Sequence, residues 1–133
     1  MADEVRELDQ GDGWSVASLD GLGDGPGFRK VRTPLGVEAF GVNAIVLPPG
    51  YHTPAHWHDE QEELYLVLGG TIELHLGGDD QPTVRRLGPG GLARVDAQVR
   101  RSLKNVGEGD ATYFCVGGKG GYVGRDGRND ESA

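Results

Sequence analysis

Short apolar runs, separated by glycine, proline and acidic residues, account for most of the hydrophobic positions in this chain. Residues 37–47 are apolar on both faces of an extended strand, which predicts a central strand of a sheet. Along residues 63–68 the side chains alternate between a face of three leucines and a face of Glu63, Tyr65 and Val67. Because both faces of this run are largely apolar, a second sheet or a second subunit must cover one of them.

The rest of the chain repeats this pattern of short strands and tight turns. In residues 71–76 isoleucine and leucine occupy alternate positions, so His75 faces away from the core and is interpreted as a surface histidine. No long helix is predicted, because residues 2–10 carry only Val5 and Leu8 at helical spacing. The further predicted strands are residues 14–19, 28–32, 83–87, 92–95, 99–105 and 111–116. Roughly eight to ten short strands predict an all-β sandwich or barrel.

One domain is expected from the length of 133 residues. Residues 1–13 are polar and acidic and are interpreted as a flexible N-terminal segment. Residues 14–124 are assigned to a single β-barrel and residues 125–133 to a flexible C-terminal tail, because the C-terminal sequence is too polar and glycine-rich to build a core. In that sequence only Tyr122 and Val123 are suited to pack on the barrel.

Composition and charge indicate which classes of binding partner the protein is not suited to. The formal net charge of −8 and the isoelectric point near 4.8 argue against binding to nucleic acid or to an anionic membrane, because both require a basic face. The N-terminal residues contain no apolar signal-peptide core, and no apolar run approaches the ~20 residues that a membrane helix needs. Cys115 is the one cysteine, which is compatible with a reducing compartment. We therefore expect a cytoplasmic protein.

The candidate chemistry is concentrated in residues 50–70, which contain three of the four histidines. His56 and His58 are separated by one residue, so on an extended strand both imidazoles face the same side. Glu63 follows at the start of the next apolar run. Two imidazoles and a carboxylate directed at one point are ligands suited to a transition metal. These three residues are the candidate metal ligands.

The spacing of this segment resembles the first motif of the cupin family. Gly50, His56, His58, Glu63 and Gly70 stand at the motif positions, separated by five, one, four and six residues. The resemblance implies a jelly-roll barrel, also called a double-stranded β-helix, which agrees with the strand pattern. It also implies a homodimer, a divalent metal such as Fe, Mn, Ni or Zn, and dioxygenase, decarboxylase or isomerase chemistry.

The second cupin motif is only partly present. Gly90 and Asn105 stand at its ends, but residues 96–98 (DAQ) replace the P-x-G turn, and Arg101 occupies the position of the fourth metal ligand, a histidine. Arginine stays protonated and offers only hydrogen-bond donors, so it cannot ligate a metal. The resemblance therefore implies three of the four expected ligands.

Two interpretations of Arg101 remain open. In the first, the two histidines and Glu63 bind a metal through a two-His, one-carboxylate face, and Arg101 holds a substrate carboxylate or phosphate beside it. In the second, Arg101 pairs with Glu63 or its neighbours and the pocket contains no metal.

Alternation along residues 99–105 predicts the direction of each side chain in this strand. The face that carries Arg100, Ser102 and Lys104 is wholly polar and is expected to meet solvent. The opposite face carries the apolar residues, so Arg101 is expected to point into the pocket. A buried guanidinium needs acceptors, because an unpaired buried charge costs at least several kcal/mol.

Other side chains receive shorter interpretations. Tyr65 shares the inward face with Glu63 and is a candidate for substrate binding, with core filling as the alternative. His52 is a second substrate-binding candidate at the pocket mouth, or else a plain loop residue. Cys115 is interpreted as a small apolar strand residue, and Asn105 as a residue that shapes the turn after its strand.

These features predict a small-molecule-binding, cupin-like protein. The first hypothesis is a metal-dependent enzyme that acts on a small organic acid through His56, His58 and Glu63. The second is a non-catalytic, metal-free module that binds or senses a small anion. No organic cofactor is predicted, and metal content discriminates between the two hypotheses.

Overall fold

Ten β-strands form the body of the part of the chain that the computed structural model describes, residues 2–78 and 80–118. In chain order they are β1 Asp9–Gly11, β2 Trp14–Val16, β3 Gly27–Lys30, β4 Gly41–Leu47, β5 Glu62–Gly69, β6 Ile72–Leu76, β7 Thr83–Leu87, β8 Leu92–Val95, β9 Arg101–Asn105 and β10 Ala111–Gly118. A 3₁₀ turn at Leu19–Leu22 and a one-turn helix, α1 Arg32–Leu35, separate the early strands. Tyr122, Val123 and the C-terminal tail lie outside the described residues.

The strands form two larger antiparallel sheets and one small hairpin. One sheet has the order β3-β4-β10-β5-β8, and the other has the order β7-β6-β9. Residues 52–56 lie along the free edge of β9, where His52 pairs with Lys104 and His56 pairs with Arg101 through single β-bridges. This arrangement confirms the predicted all-β fold of jelly-roll type. It also places β4 between two neighbours, as the apolar run at residues 37–47 predicts.

The core lies between the two larger sheets. Its fully covered side chains come from both sheets and are Leu47, Tyr65, Val67, Ile72, Leu74, Val95, Leu103, Ala111 and Tyr113. Each strand contributes alternate residues to this interior, because successive side chains of a strand point to opposite faces. On the inner faces of β4, β5 and β10, some side chains therefore pack in the core and others line the pocket described below.

Two motif glycines make the turns that flank the histidine segment. Gly50 has φ of +79° directly after β4, and Gly70 has φ of +79° between β5 and β6. These are left-handed backbone conformations that side chains disfavour. At Gly70 a Cβ atom would also lie 2.7 Å from the Cα of Ala111, so a larger residue does not fit. The two glycines thus hold the histidine segment and β5 at their positions in the barrel.

The N-terminal region differs from the sequence prediction in two places. Asp9–Gly11, within the segment that was expected to be flexible, pairs with Trp14–Val16 as a hairpin. The strand predicted at residues 28–32 ends at Lys30, and Arg32–Leu35 forms the one-turn helix α1, which is closed by Gly36, whose N–H bonds to the carbonyls of Arg32 and Thr33. Proline is tolerated in that helix because the first turn needs no backbone N–H donor.

Strand β9 begins two residues later than predicted, and one of its faces is covered unexpectedly. Ser102 is only 7% exposed, although the face of Arg100, Ser102 and Lys104 was expected to meet solvent. That expectation is wrong for Ser102, because His52 packs on the same side and its ring bonds to the serine hydroxyl. The opposite face is buried as predicted, with Arg101 1% and Leu103 2% exposed.

Asn105 ends β9 and shapes the following turn, as the sequence predicts. Its side-chain amide donates to the carbonyls of Leu47 at 2.9 Å and Gly109 at 2.8 Å, and its Oδ1 accepts from the N–H of Gly107 at 2.9 Å. The side chain is fully buried, and these bonds satisfy it.

The outer face of the five-stranded sheet remains apolar and open in the described residues. Leu64 is 44%, Leu68 45% and Leu92 61% exposed. This is the face that requires a cover, and the predicted homodimer stays a prediction. No helix within residues 2–78 and 80–118 has the length and apolar character needed to cross a membrane.

Candidate metal centre

A pocket of about 770 Å³ opens on the inner face of the five-stranded sheet. Its polar end contains His56, His58, Gln61, Glu63 and Cys115. The rest of its wall is largely apolar and aromatic, and includes Phe28, Ile45, Leu47, Tyr51, Tyr65 and Tyr113. The candidate ligands therefore share one end of a single cavity with an apolar body.

The three candidate metal ligands converge at the polar end. The Nε2 atoms of His56 and His58 lie 3.4 Å and 3.3 Å from Oε1 of Glu63. One possible ligand atom from each of the three residues lies within 4.8 Å of the others. The two rings are perpendicular, with centroids 5.4 Å apart. This is the convergence that the H-x-H spacing and the strand alternation predict.

Backbone hydrogen bonds hold the two histidines in an extended segment. The N–H of His56 donates to the carbonyl of Arg101 at 2.9 Å, and the N–H of Arg101 returns a bond of 3.0 Å. The N–H of His58 donates to the carbonyl of Ala97 at 2.7 Å. Because the segment is extended, both rings project to the side of the pocket, where Glu63 of β5 also points.

Glu63 is an ionised carboxylate held by several donors. Its Oε1 accepts from the hydroxyl of Tyr65 at 2.7 Å and from Nη2 of Arg101 at 2.9 Å, and its Oε2 accepts from Sγ of Cys115 at 3.1 Å. Burial raises the pKa of this carboxyl, but the hydrogen bonds from Tyr65 and Cys115 and the charges of His58 and Arg101 outweigh it and lower the pKa to about 2.

Arg101 lies beneath Glu63 and not on the pocket wall. Its side chain is 0% exposed. Its Nε donates to the Tyr65 hydroxyl at 3.2 Å, its Nη2 donates to Glu63, and its Nη1 lies within hydrogen-bond distance of three backbone carbonyls in residues 96–99. A guanidinium has five N–H donors, and this arrangement occupies most of them.

The contacts of Arg101 bear on both interpretations of the second motif. The pair with Glu63 is the contact that the second interpretation requires. The first interpretation requires a guanidinium accessible to substrate, and the buried Arg101 does not line the pocket. Arg101 also donates hydrogen bonds to backbone carbonyls of residues 96–99 and so stabilises this turn, in which DAQ replaces the P-x-G of the second cupin motif.

Two pocket residues were missed at the sequence level. Cys115 had been interpreted as a small apolar strand residue, but its thiol bonds to Glu63 inside the pocket. Tyr113 lines the same pocket, and its ring lies 5.9 Å from that of Tyr65. Alternation along β10 was the available signal, because Tyr113 and Cys115 stand two residues apart and face one side. Burial raises the pKa of the Cys115 thiol and that of the Tyr65 hydroxyl, so both groups stay protonated and donate.

His52 and His75 lie on the opposite side of the three-stranded sheet, away from the metal ligands. They line a smaller outer cavity of about 250 Å³, with their ring centroids 4.7 Å apart. Nε2 of His52 bonds to Oγ of Ser102 at 2.8 Å, and Nε2 of His75 lies 3.2 Å from Oε1 of Glu73. His75 faces outward as predicted, but its side chain is only 22% exposed because His52 packs against it. His52, a substrate-binding candidate, does not line the large pocket.

The donor set at the polar end fits a divalent transition metal. Among the described residues, Nε2 of His58 is buried and has no partner in hydrogen-bonding geometry, although Oε1 of Glu63 lies 3.3 Å away, so a metal ion at this end would give it a partner. Oε2 of Glu63 accepts one bond and keeps a lone pair for a metal. The bonds from Tyr65 and Arg101 orient the carboxylate as outer partners of metal ligands do. The positive charge of Arg101 opposes the cation and lowers its affinity.

The fold is an antiparallel jelly-roll barrel, and two histidines and a glutamate lie at one end of its inner pocket. These features define a class of β-barrel proteins with a candidate metal centre. The family model of the cupin domain matches residues 43–117, more than half of the chain. The chain therefore belongs to the cupin domain family. None of the curated protein sequences compared with the chain matches it.

Solved structures of other proteins share the fold of this chain. A cupin protein from Bacteroides fragilis is similar with a TM-score of 0.71 and 21% identity, over 89% of this chain and 98% of that one. A predicted oxalate decarboxylase from Thermotoga maritima has a TM-score of 0.51 and 23% identity, over 58% of this chain and 64% of that one. An oxalate oxidase has a TM-score of 0.56 and 18% identity, over 61% of this chain and 42% of that one.

Proposed function

We propose that this cupin is a divalent-metal-dependent enzyme that acts on a small organic acid through His56, His58 and Glu63. The observation that carries the proposal is the convergence of three donor atoms within 4.8 Å, one of which, Nε2 of His58, is buried without a hydrogen-bond partner. When bound, the metal supplies Lewis-acid polarisation or oxygen activation. Decarboxylation and oxidation of the acid are the candidate reactions, supported by the likeness in fold to a predicted oxalate decarboxylase and to an oxalate oxidase.

The chain's own residues prepare the site in three ways. Arg101 and Tyr65 keep Glu63 ionised and fix its orientation, so the ligand is ready without a proton-transfer step. Cys115 and Tyr65 stay protonated at neutral pH and act as donors, not as nucleophile or base. The apolar wall offers contact to the non-polar part of a substrate, which on binding would displace water from the reacting end and strengthen electrostatic interactions there.

A second candidate function is the metal-free binding or sensing module. The buried pair of Arg101 with Glu63 at 2.9 Å favours it, because Arg101 already neutralises the carboxylate that a metal would neutralise. In that case the polar end would bind its ligand through the imidazoles of His56 and His58 alone.

Metal content tests the proposal. The protein is purified without chelator and its Fe, Mn, Ni and Zn are measured by mass spectrometry, followed by Mn²⁺ titration of the stripped protein. We expect wild type to hold close to one equivalent of metal and His58→Ala to lose it. His75→Ala is the matched control, since His75 lies on the outer face. If wild type binds no metal and titrates like His58→Ala, the metal-free module is the correct function.

A further inference from the structure

We infer that the pocket selects an organic molecule with a bulky apolar body and a single polar head, and discriminates against dicarboxylates whose second carboxylate lies away from the metal, such as fumarate. The inference deepens the proposed function, on which it rests for the metal-binding character of the head group. Three independent features of the pocket lead to it: its size, the chemistry of its wall and the position of its cations.

The size of the pocket exceeds what an acid of only a few non-hydrogen atoms would occupy. The cavity volume of about 770 Å³ lies in the range of sites that take drug-sized ligands. At ~30 Å³ for each water, it corresponds to roughly 25 water molecules. A ligand with only a few non-hydrogen atoms at the polar end would leave most of the apolar wall in contact with water. A larger apolar body would displace that water.

The wall offers apolar contact far from the metal ligands. Ile45 and Tyr113 face the cavity from the neighbouring strands β4 and β10. At its rim stand two exposed aromatic side chains, Phe28 at 64% and Tyr51 at 48% exposure. Large aromatic rings in water next to a cavity are unfavourable unless a ligand or partner covers them. Burying them against a ligand supplies binding free energy in proportion to the apolar area removed from water.

The distribution of charge limits the ligand to one anionic group. Among the described residues that line the pocket there is no lysine or arginine. Arg101 is the closest guanidinium to the ligand cluster, but its side chain is 0% exposed and already bonds to Glu63. A head group can bind at the metal, whereas a second carboxylate that cannot reach the same metal ion, such as the trans carboxylate of fumarate, would have to lie against the apolar wall or beside the anionic Glu63. An unpaired buried carboxylate is strongly unfavourable.

Calorimetric titration with 2-naphthoate and fumarate tests the inference, because the trans carboxylates of fumarate cannot both bind one metal ion. Both probes are titrated into Mn²⁺-loaded wild type and into chelator-treated wild type. We expect 2-naphthoate to bind the loaded protein at least roughly 100-fold more tightly than fumarate, because its rings bury apolar area that fumarate lacks. Phe28→Ala and Tyr51→Ala should each weaken naphthoate binding several-fold and leave fumarate binding unchanged. Phe40→Ala is the matched control, because Phe40 is also exposed, at 46%, but does not line the pocket.

The outcomes separate this inference from the metal proposal. If fumarate binds the loaded protein as tightly as 2-naphthoate, or if neither probe binds, the inference is overturned while the metal-content result stands. If the protein takes up no metal but the chelator-treated form still prefers 2-naphthoate and depends on Phe28 and Tyr51, the metal proposal fails and the apolar selectivity holds. Equal loss of naphthoate binding in the Phe28 and Phe40 variants would also contradict the inference.

Discussion

Replacing Arg101 with alanine is expected to lower the free energy of unfolding by about 3–5 kcal/mol, because it removes one partner of a buried ion pair. The side chain is 0% exposed and bonds to Glu63, to the Tyr65 hydroxyl and to backbone carbonyls of residues 96–99. The alanine variant would leave these acceptors without their donor inside the barrel.

Two contributions to this loss follow from the structure. The pKa of Glu63 falls from 4.5 to about 2, which corresponds to about 3 kcal/mol of differential stabilisation of the charged form. The hydrogen bonds from Tyr65 and Cys115 come first among the favourable causes of that shift, so Arg101 supplies only part of it. The freed carbonyls of residues 96–99 add about 1 kcal/mol for each that stays buried and unsatisfied. Both contributions are needed to reach the expected range.

Urea unfolding of chelator-treated protein, followed by circular dichroism, measures the effect. Arg100→Ala is the control, since the neighbouring guanidinium lies on the other face, 5.0 Å from the ring of Trp57. It should cost no more than about 1 kcal/mol. The double variant with Glu63→Gln should lose less than the sum of the single variants by at least about 1 kcal/mol, because the two residues interact directly.

Arg101→Lys covers the case in which the alanine variant does not fold. Lysine keeps the charge near Glu63 but cannot reach the hydroxyl and the carbonyls at the same time, so we expect a folded protein with an intermediate loss. A lysine variant as stable as wild type would show that the hydrogen bonds of the guanidinium to the Tyr65 hydroxyl and the backbone carbonyls do not contribute to stability. An alanine variant that loses less than about 1 kcal/mol, or shows no coupling to Glu63, would refute the reasoning.

Three further predictions follow from the same structure. Arg101→His should raise Mn²⁺ affinity at least roughly tenfold by calorimetry, because it restores a fourth ligand and removes a positive charge; unchanged affinity would contradict this. Ionised Glu63 stabilises the folded protein fully above pH 4.5, and this stabilisation is lost as the pH falls toward the folded-state pKa of about 2. The free energy of unfolding of metal-free wild type should therefore fall by up to about 3 kcal/mol between these pH values, and that of Glu63→Gln should fall by less. Wild type should sediment as a dimer at micromolar concentration and Leu92→Glu as a monomer, because Leu92 is 61% exposed on the open apolar face; a monomeric wild type would show that the face has another role.

Much of the fold and part of the site could be predicted from residues close together in the chain. Short alternating runs between glycine-rich turns led to the all-β architecture, since strand periodicity is a local property. The H-x-H spacing set both imidazoles on one face for the same reason, and Glu63 followed at the start of the next strand. Alternation also predicted that Arg101 points inward, where it is buried.

The partners of these residues depended on which strands lie next to each other. Cys115 reaches Glu63 because β10 pairs with β5 in a register that sets Cys115 opposite Tyr65. Ser102 is covered because His52, fifty residues earlier, joins the edge of β9. Periodicity tells which side of a strand a residue faces, but the neighbour on that side is chosen by long-range pairing and register. The candidate ligand residues could therefore be predicted from the sequence, whereas the donors that hold Glu63, the burial of Arg101 beneath it and the apolar extent of the pocket were decided only by the tertiary structure.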